Sequence, residues 1–358
     1  MRQLAASITI LGLILAPVGA LAASFVFDNG AGNSDWDVAQ NWNPETGFAA
    51  ALPDIGAPDT FTVGDAFSPT QDAGSQVEVG FSGSGTATLN IDTSGTLTFE
   101  GCFAGRNASA QITQNSGTWN VGSVNGMGWA FSAAGVLARY DMNGGSLNNV
   151  GFTYLCSAAG ASAVVVQTGG AVTEGDGSGG DYFMMAPSSD GAVASYQISG
   201  GSLTINSGTD DIGIGETVSA WGGPSDGGAA TFEVVGTGPS AITWNGNTLI
   251  GGAGSGKGKL KYTMGDGGVT ALDINGTVSL IDSPLLELDF TGYSGSGDIT
   301  LIDNDLADAI SGTFSGAPEG TGYGPGDRFT LTYIGGDGND LVLVDGGVAT
   351  PGAVIYAK

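Results

Sequence analysis

Apolar and polar residues alternate in short runs along most of the chain. Each run leads into a glycine turn, then Ser, Thr or Ala, then an apolar residue that opens a second run. Period-two alternation predicts strands with one buried face, and glycine supplies the positive φ angles that corners need. The pattern repeats every 22 to 31 residues, and a repeat of this length with variable insertions predicts a solenoid. The apolar residue after the turn recurs at Leu97, Trp119, Leu147, Val172 and Leu203.

A single coil of this kind cannot bury its own inward side chains, so neighbouring coils must supply the core and the interstrand hydrogen bonds. Beyond the first residues, no stretch shows the 3.6-residue period of an amphipathic helix. The sequence predicts an all-β fold, a right-handed parallel β-helix (β-solenoid) over 61–345. Because exposed ends would pair with other chains, we expect an N-terminal cap at 23–60 and a hairpin-like closure from Phe329. Residues 346–358 are expected to form a flexible tail.

The first residues have the features of a secretory signal peptide. Arg2 precedes an apolar run from Leu4 to Leu15, and Ala20 and Ala22 form an A-x-A cleavage pattern. The run is shorter than the roughly 20 residues that span a bilayer, which argues against an N-terminal membrane anchor. Residues 1–22 are therefore predicted to be removed on export, and no later segment predicts a transmembrane helix.

Composition narrows the function classes. The chain has 35 acidic and 8 basic residues, a net charge of −27, 66 glycines and no histidine. Such a charge repels nucleic acid and anionic lipid. The missing histidine excludes a Ser-His-Asp triad and the common zinc sites. Hydrophobic residues make up 41% of the chain, which predicts a folded rather than a disordered protein.

Cys102 and Cys156 are the two cysteines of the chain. A pair of cysteines in an exported protein favours a disulfide. The sequences around Cys102 and Cys156, however, suggest that the two residues occupy the same position in two different repeats. If one coil lies between them, stacking at about 4.8 Å per strand separates them by about 9.6 Å, beyond disulfide reach. We therefore predict two unpaired, buried thiols.

Three segments resemble a known group of surface proteins: the opening from Trp36 to Trp42, the recurring Gly-Gly-Ser-Leu phrase, and the ending from Tyr333 to Leu343. They look like parts of autotransporter-associated β-strand-repeat proteins and PEP-CTERM-sorted proteins. The resemblance covers most of the chain through short motifs. It implies a right-handed β-helix exported to the cell surface or extracellular matrix of a Gram-negative bacterium.

Residues 335–343 fit the calcium-binding nonapeptide G-G-x-G-x-D-x-U-x, with Asp337, Asn339 and Asp340 as weak candidate ligands. The motif occurs once, whereas calcium in such rolls is shared between successive turns. A lone copy lacks half of its ligands, so a hairpin turn is the favoured interpretation. We predict no cofactor, with calcium as the alternative. A nearby acidic group offers no stronger site: Asp303, Asp305 and Asp308.

Two further groups invite a functional interpretation. Asp210 and Asp211 resemble the paired aspartates of β-helical pectin hydrolases, but no histidine, Lys or Arg accompanies them, which favours a solvated turn. Lys257, Lys259 and Lys261 alternate and so share one strand face, where an anionic glycan could bind. The favoured interpretation of this stripe is a solubilising outer face, because the overall field is negative.

A regular scaffold without a recognisable acid, base or metal constellation predicts a non-enzymatic protein. We expect an extracellular or cell-surface structural or adhesin-like role. The expected partners are extracellular polysaccharide, matrix or other copies of the chain, with no nucleic acid. The alternative, drawn from fold analogy, is a carbohydrate-active hydrolase or lyase that uses aspartates.

Overall fold

The structure is a computed structural model, and strands dominate it. Apart from Ala22, the predicted signal peptide lies outside the described residues, as does most of the predicted tail. The described residues are 22–46, 54–65, 67–70, 76–130, 133–187, 191–215, 228–252, 258–305 and 308–347.

In the described ranges, two single-turn 3₁₀ helices, Ala39–Asn41 and Pro325–Asp327, interrupt a succession of strands. The strands are β1 (Ser24–Phe27), β2 (Trp42–Asn43), β3 (Ile55–Ala57), β4 (Thr60–Asp65), β5 (Val77–Gly83), β6 (Thr86–Thr93), β7 (Thr96–Ala104), β8 (Ser109–Gln114), β9 (Thr118–Trp129), β10 (Leu137–Met142), β11 (Ser146–Asn149), β12 (Thr153–Leu155), β13 (Ser162–Gln167), β14 (Ala171–Glu174), β15 (Phe183–Met185), β16 (Val193–Ile198), β17 (Gly201–Ile214), β18 (Ala229–Val235), β19 (Pro239–Ile250), β20 (Gly258–Thr263), β21 (Leu272–Asn275), β22 (Val278–Leu280), β23 (Leu285–Asp289), β24 (Ile299–Asn304), β25 (Gly322–Tyr323), β26 (Phe329–Gly335) and β27 (Asp340–Asp345).

The strands form two sheets, and along most of the described chain successive segments alternate between them. The first sheet runs β2-β1-β4-β6-β8-β10-β13-β16-β18-β20-β23. The second runs β25-β26-β27-β24-β21-β19-β17-β14-β11-β9-β7-β5-β3, with β12, β15 and β22 beside it. Pairing within the stack is parallel, so the chain is a β-solenoid of about eight turns. The all-β, parallel β-helix prediction is confirmed.

The inward faces of the strands form one continuous core. Strands such as β6 and β13 alternate buried and more exposed residues along their length, as the period-two pattern predicts. The apolar residues after the glycine turns stack directly on one another, from Leu97 through Trp119 and Leu147 to Val172 and Leu203. All are buried, so the repeat read from the sequence is the core of the solenoid.

The glycine turns form a tightly packed corner. Gly201 has φ +77°, and a methyl group on it would overlap the carbonyl oxygen of Gly170 in the coil below. That carbonyl accepts the N–H of Ser202 at 2.9 Å. Positive φ and close backbone approach together explain why glycine recurs at this corner.

The two ends of the stack differ. β1 pairs in parallel with β4 and antiparallel with β2, so the first described strand continues the first sheet. Trp36 and Trp42 lie buried there, 4.6 Å apart between ring centroids. At the other end β26 and β27 form an antiparallel hairpin, and β27 pairs antiparallel with β24. The predicted hairpin closure is confirmed.

Both thiols are buried and free, as predicted. The prediction that they occupy equivalent positions is wrong. Cys102 aligns with Met127, which aligns with Thr153, while Cys156 lies three residues further along. Turns of unequal length shift the alignment, so similar flanking sequences did not indicate equivalent places. Burial raises the pKa of both thiols.

Candidate functional site

The outer face of the second sheet carries two in-register columns of small uncharged residues from β7 to β19. One column lies at the start of each strand segment and the other two positions later. Their side chains are at least partly exposed. We call them the uncharged columns: Thr96, Thr118, Ser146, Ala171, Ser202 and Ala241, with Thr98, Asn120, Asn148, Thr173, Thr204 and Thr243.

The first sheet has a different outer face, which carries ion pairs. Lys259 and Lys261 share the outer side of β20, as their alternation predicts. The Lys259 Nζ lies 2.8 Å from Glu287, and the Lys261 Nζ lies 3.2 Å from Glu233 and 3.7 Å from Glu287. The hydrogen bond to Glu233 raises the pKa of Lys261.

These carboxylates offset the positive charge of both lysines. A glycan that binds the stripe would have to compete with them, so contact there stays a prediction. The third member of the predicted stripe, Lys257, lies outside the described residues.

An open groove follows one corner of the second sheet, beside the uncharged columns. The groove is built around an asparagine ladder on three successive coils. The Nδ2 of Asn245 donates to the Oδ1 of Asn206 at 2.7 Å, and the Nδ2 of Asn275 donates to the Oδ1 of Asn245 at 2.8 Å. We call this feature the asparagine groove; Asp176, Gly177, Gly208, Gly246, Asn247 and Gly276 also line it.

Strand register explains the ladder. Asn206 aligns with Asn245, and Asn245 aligns with Asn275, because each follows an inward-facing apolar residue in its own coil. Asn245 and Asn275 are each followed by a glycine, Gly246 and Gly276. These glycines let the two coils stack closely, since a methyl group at Gly276 would overlap the carbonyl oxygen of Gly246. Each amide nitrogen has two N–H groups. The ladder uses one N–H of Asn245 and one of Asn275, and the Nδ2 of Asn206 donates to the carbonyl oxygen of Gly175 at 3.2 Å. The groove therefore presents oriented amide donors.

The paired aspartates predicted from sequence lie beside this groove, at an irregularity in β17. The Oδ2 of Asp210 accepts the N–H of Gly180 at 2.5 Å. Asp211 is buried and aligns with Asn247 of β19. The predicted solvated turn is therefore wrong for Asp211, because stacking on the next coil covers a position that the sequence alone leaves exposed.

A second pair of aspartates, Asp176 and Asp181, sits in the loop after β14. Burial raises the pKa of Asp181, and hydrogen bonds from Ser178 lower the pKa of Asp176. The Oδ2 of Asp181 accepts the backbone N–H of Asp176 at 3.0 Å and the backbone N–H of Ser178 at 3.1 Å. The Asp181 carboxyl group therefore serves to hold the loop after β14.

The nonapeptide forms a β-turn hairpin, as its favoured interpretation predicts. The N–H of Gly338 donates to the carbonyl of Gly335 at 2.7 Å, closing the turn between β26 and β27. The Oδ1 of Asp340 accepts the N–H of Asn304 at 2.9 Å, and the Nδ2 of Asn339 donates to the carbonyl of Asn304 at 2.6 Å. Within the described residues, no group of three or more His, Cys, Asp or Glu side chains has metal-binding geometry.

Inside the solenoid lies a carboxyl group that sequence reasoning missed. Glu174 is 5% exposed, and its Oε2 accepts bonds from the Nδ2 of Asn149 at 2.8 Å and the Oγ1 of Thr153 at 2.6 Å. Burial raises its pKa to about 7. The signal was present: where another repeat has Ile205 at this inward position, this one has Glu174.

Comparison of the chain with protein-family models, with curated proteins and with solved structures finds no match. The autotransporter-associated or PEP-CTERM type therefore stays a prediction, while the β-solenoid itself is established by the strand pairing. In the part of the chain that the structure describes, no helix has the length and apolar character needed to cross a membrane.

Proposed function

We propose that this chain is an exported, non-enzymatic protein of the cell surface or extracellular matrix of a Gram-negative bacterium. Its role is structural or adhesin-like, and it contacts neutral polysaccharide through the asparagine groove and the adjoining uncharged columns. The observation that carries the proposal is the asparagine ladder of Asn206, Asn245 and Asn275.

The chemistry of the groove suits sugar hydroxyl groups. A primary amide both donates and accepts hydrogen bonds, as a hydroxyl does. Because the ladder holds each amide in place, binding costs little side-chain entropy. Successive coils repeat at about 4.8 Å, so a polymer of repeating units could meet the same group on several coils.

Charge selects between glycan classes. The net charge of −27 repels acidic polysaccharides at a distance. The uncharged columns carry no ionisable side chain from β7 to β19, in contrast to the ion-paired outer face of β20. A neutral polysaccharide therefore fits this side of the solenoid better than an anionic one.

Binding of the purified chain to a panel of neutral and acidic polysaccharides tests the proposal. The double variant Asn245→Ala, Asn275→Ala is expected to weaken binding about tenfold or more, since two hydrogen bonds of roughly 1 kcal/mol each are removed. Thr62→Ala, Asn90→Ala is the matched control, because it removes a 3.4 Å amide hydrogen bond between neighbouring coils on the first sheet, away from the groove and the uncharged columns.

Three results would count against the proposal. Equal loss of binding in both double variants would indicate a general structural effect. Preference for acidic glycans would contradict the charge argument. Release of soluble sugar by the wild-type chain would instead support the alternative of an aspartate-using hydrolase or lyase, and Asp210→Asn with Asp211→Asn would then be the variants to assay.

A further inference from the structure

A small acidic pocket lies where the last coil meets the C-terminal hairpin. Asp305, which follows β24, and Asp337 and Asn339, in the turn between β26 and β27, line the same pocket. Among the ion pairs in the described part of the chain, none involves these acids.

A second observation is independent of the acidic residues. Asn339 is 5% exposed, and its Oδ1 has no hydrogen-bond partner. The orientation of the amide is fixed, because its Nδ2 donates to the carbonyl of Asn304. A flipped amide would bring two oxygen acceptors together. A buried carbonyl oxygen without a partner is rare in folded proteins. The Oδ1 of Asn339 is therefore available to accept a hydrogen bond or to bind a cation.

Two more buried oxygens in the same region also have no partner: the Oδ1 of Asn304 and the Oδ2 of Asp308. The Nδ2 of Asn304 donates to the carbonyl of Asp308 at 2.7 Å, so these residues adjoin one another and Asn339. Unsatisfied oxygen acceptors are therefore concentrated beside an acidic pocket. Positive charge would satisfy both features at once.

We infer that this pocket binds a divalent cation, with Ca²⁺ as the ion that fits best. Its ligands are the carboxylates of Asp305 and Asp337 and the Oδ1 of Asn339, with water completing the coordination. An all-oxygen donor set suits the hard cations, and Ca²⁺ tolerates the irregular geometry of a flexible turn better than Mg²⁺ does.

The site differs from the arrangement that the nonapeptide predicts. In a calcium roll, ions lie between successive copies of the motif. Here Asp305, which follows β24, supplies the second half of the site. The Oδ1 of Asp340 accepts the backbone N–H of Asn304, so Asp340 is not among the ligands. The cation thereby ties the hairpin to the last coil. With two carboxylates, the expected dissociation constant lies in the weak extracellular range, about 10⁻⁴–10⁻³ M.

Calcium titration of the full chain, followed by calorimetry and by thermal unfolding, tests the inference. We expect saturable binding of one ion and a rise in Tm that Mg²⁺ and NaCl at equal ionic strength reproduce only in small part. Asp337→Asn and Asp305→Asn are each expected to raise the dissociation constant at least tenfold. Asp282→Asn, which removes an exposed carboxylate from another turn, is the matched control and should bind like the wild type.

Two outcomes would overturn the inference. Equal stabilisation by Ca²⁺, Mg²⁺ and NaCl would mean that added ions only screen the net charge. Unchanged calcium affinity in both Asp337→Asn and Asp305→Asn would place any bound ion elsewhere. Because glycan binding at the asparagine groove is a separate measurement, either result leaves the proposed function to its own test.

Discussion

Replacing Glu174 with Gln should remove a pH dependence from the stability of the solenoid. The folded chain holds the Glu174 proton up to a pKa of about 7, against 4.5 for the ordinary group. The folded state therefore binds more protons than the unfolded state between these values. The contribution of Glu174 to stability is therefore greatest below about pH 4.5, falls as pH rises, and levels off above about pH 7.

The magnitude follows from the two pKa values. At about 1.4 kcal/mol per pKa unit, the gap between 4.5 and about 7 costs roughly 3 kcal/mol at pH 8. Gln keeps an oxygen that can accept from Asn149 and Thr153, and it cannot ionise. The variant should match the wild type near pH 4.5 and exceed it by roughly 3 kcal/mol at pH 8.

Urea unfolding at several pH values between 4 and 8 measures this difference directly. Glu45→Gln is the control, since it removes the same charge from an exposed position. Asp54, whose pKa burial and Glu78 raise to about 6, changes stability in the same direction. Its effect is common to wild type and variant, so the difference between them isolates Glu174. If the wild type and Glu174→Gln lost equal stability between pH 5 and 8, the burial argument for Glu174 would be refuted.

Three shorter predictions concern the stack itself. Gly201→Ala should destabilise the chain by more than about 1 kcal/mol in urea unfolding, because φ is +77° and the methyl group meets a backbone oxygen. Cys102 and Cys156 should resist a thiol reagent in the folded chain and react after unfolding, since both are buried and their pKa values are raised. Lys259→Gln should change stability by less than about 1 kcal/mol, measured the same way, because its ion pair is partly exposed.

The core was predictable because its signals are local. Each coil carries its own alternating strands and glycine turn, and the residues from Leu97 to Leu203 stack as their spacing indicates. The asparagine groove was not predictable in this way. Successive members of the ladder are separated by 39 and 30 residues, so Asn206, Asn245 and Asn275 align only once the strand pairing is known. The same uncertainty in length misplaced Cys156 relative to Cys102.

Motifs located candidate residues better than they assigned roles. The nonapeptide correctly indicated a tight hairpin turn. The aspartate at the D position of the motif, Asp340, nevertheless accepts a hydrogen bond from the backbone of β24. Asn304, which donates this bond, lies 36 residues earlier in the sequence, so no local pattern could reveal it. Lys259 and Lys261 share a face as predicted, but their acidic partners come from neighbouring coils.

Stacking explains both the successes and the failures. In a parallel solenoid, each outward side chain meets the equivalent side chain of the next coil about 4.8 Å away, so one substitution changes a whole column. Like charges in such a column repel, and the first sheet balances its charges with ion pairs such as Lys261 with Glu233. The uncharged columns avoid the problem altogether over the coils from β7 to β19. The proposed contact with a neutral polysaccharide rests on the continuity of these two columns over several coils, in a chain whose net charge is −27.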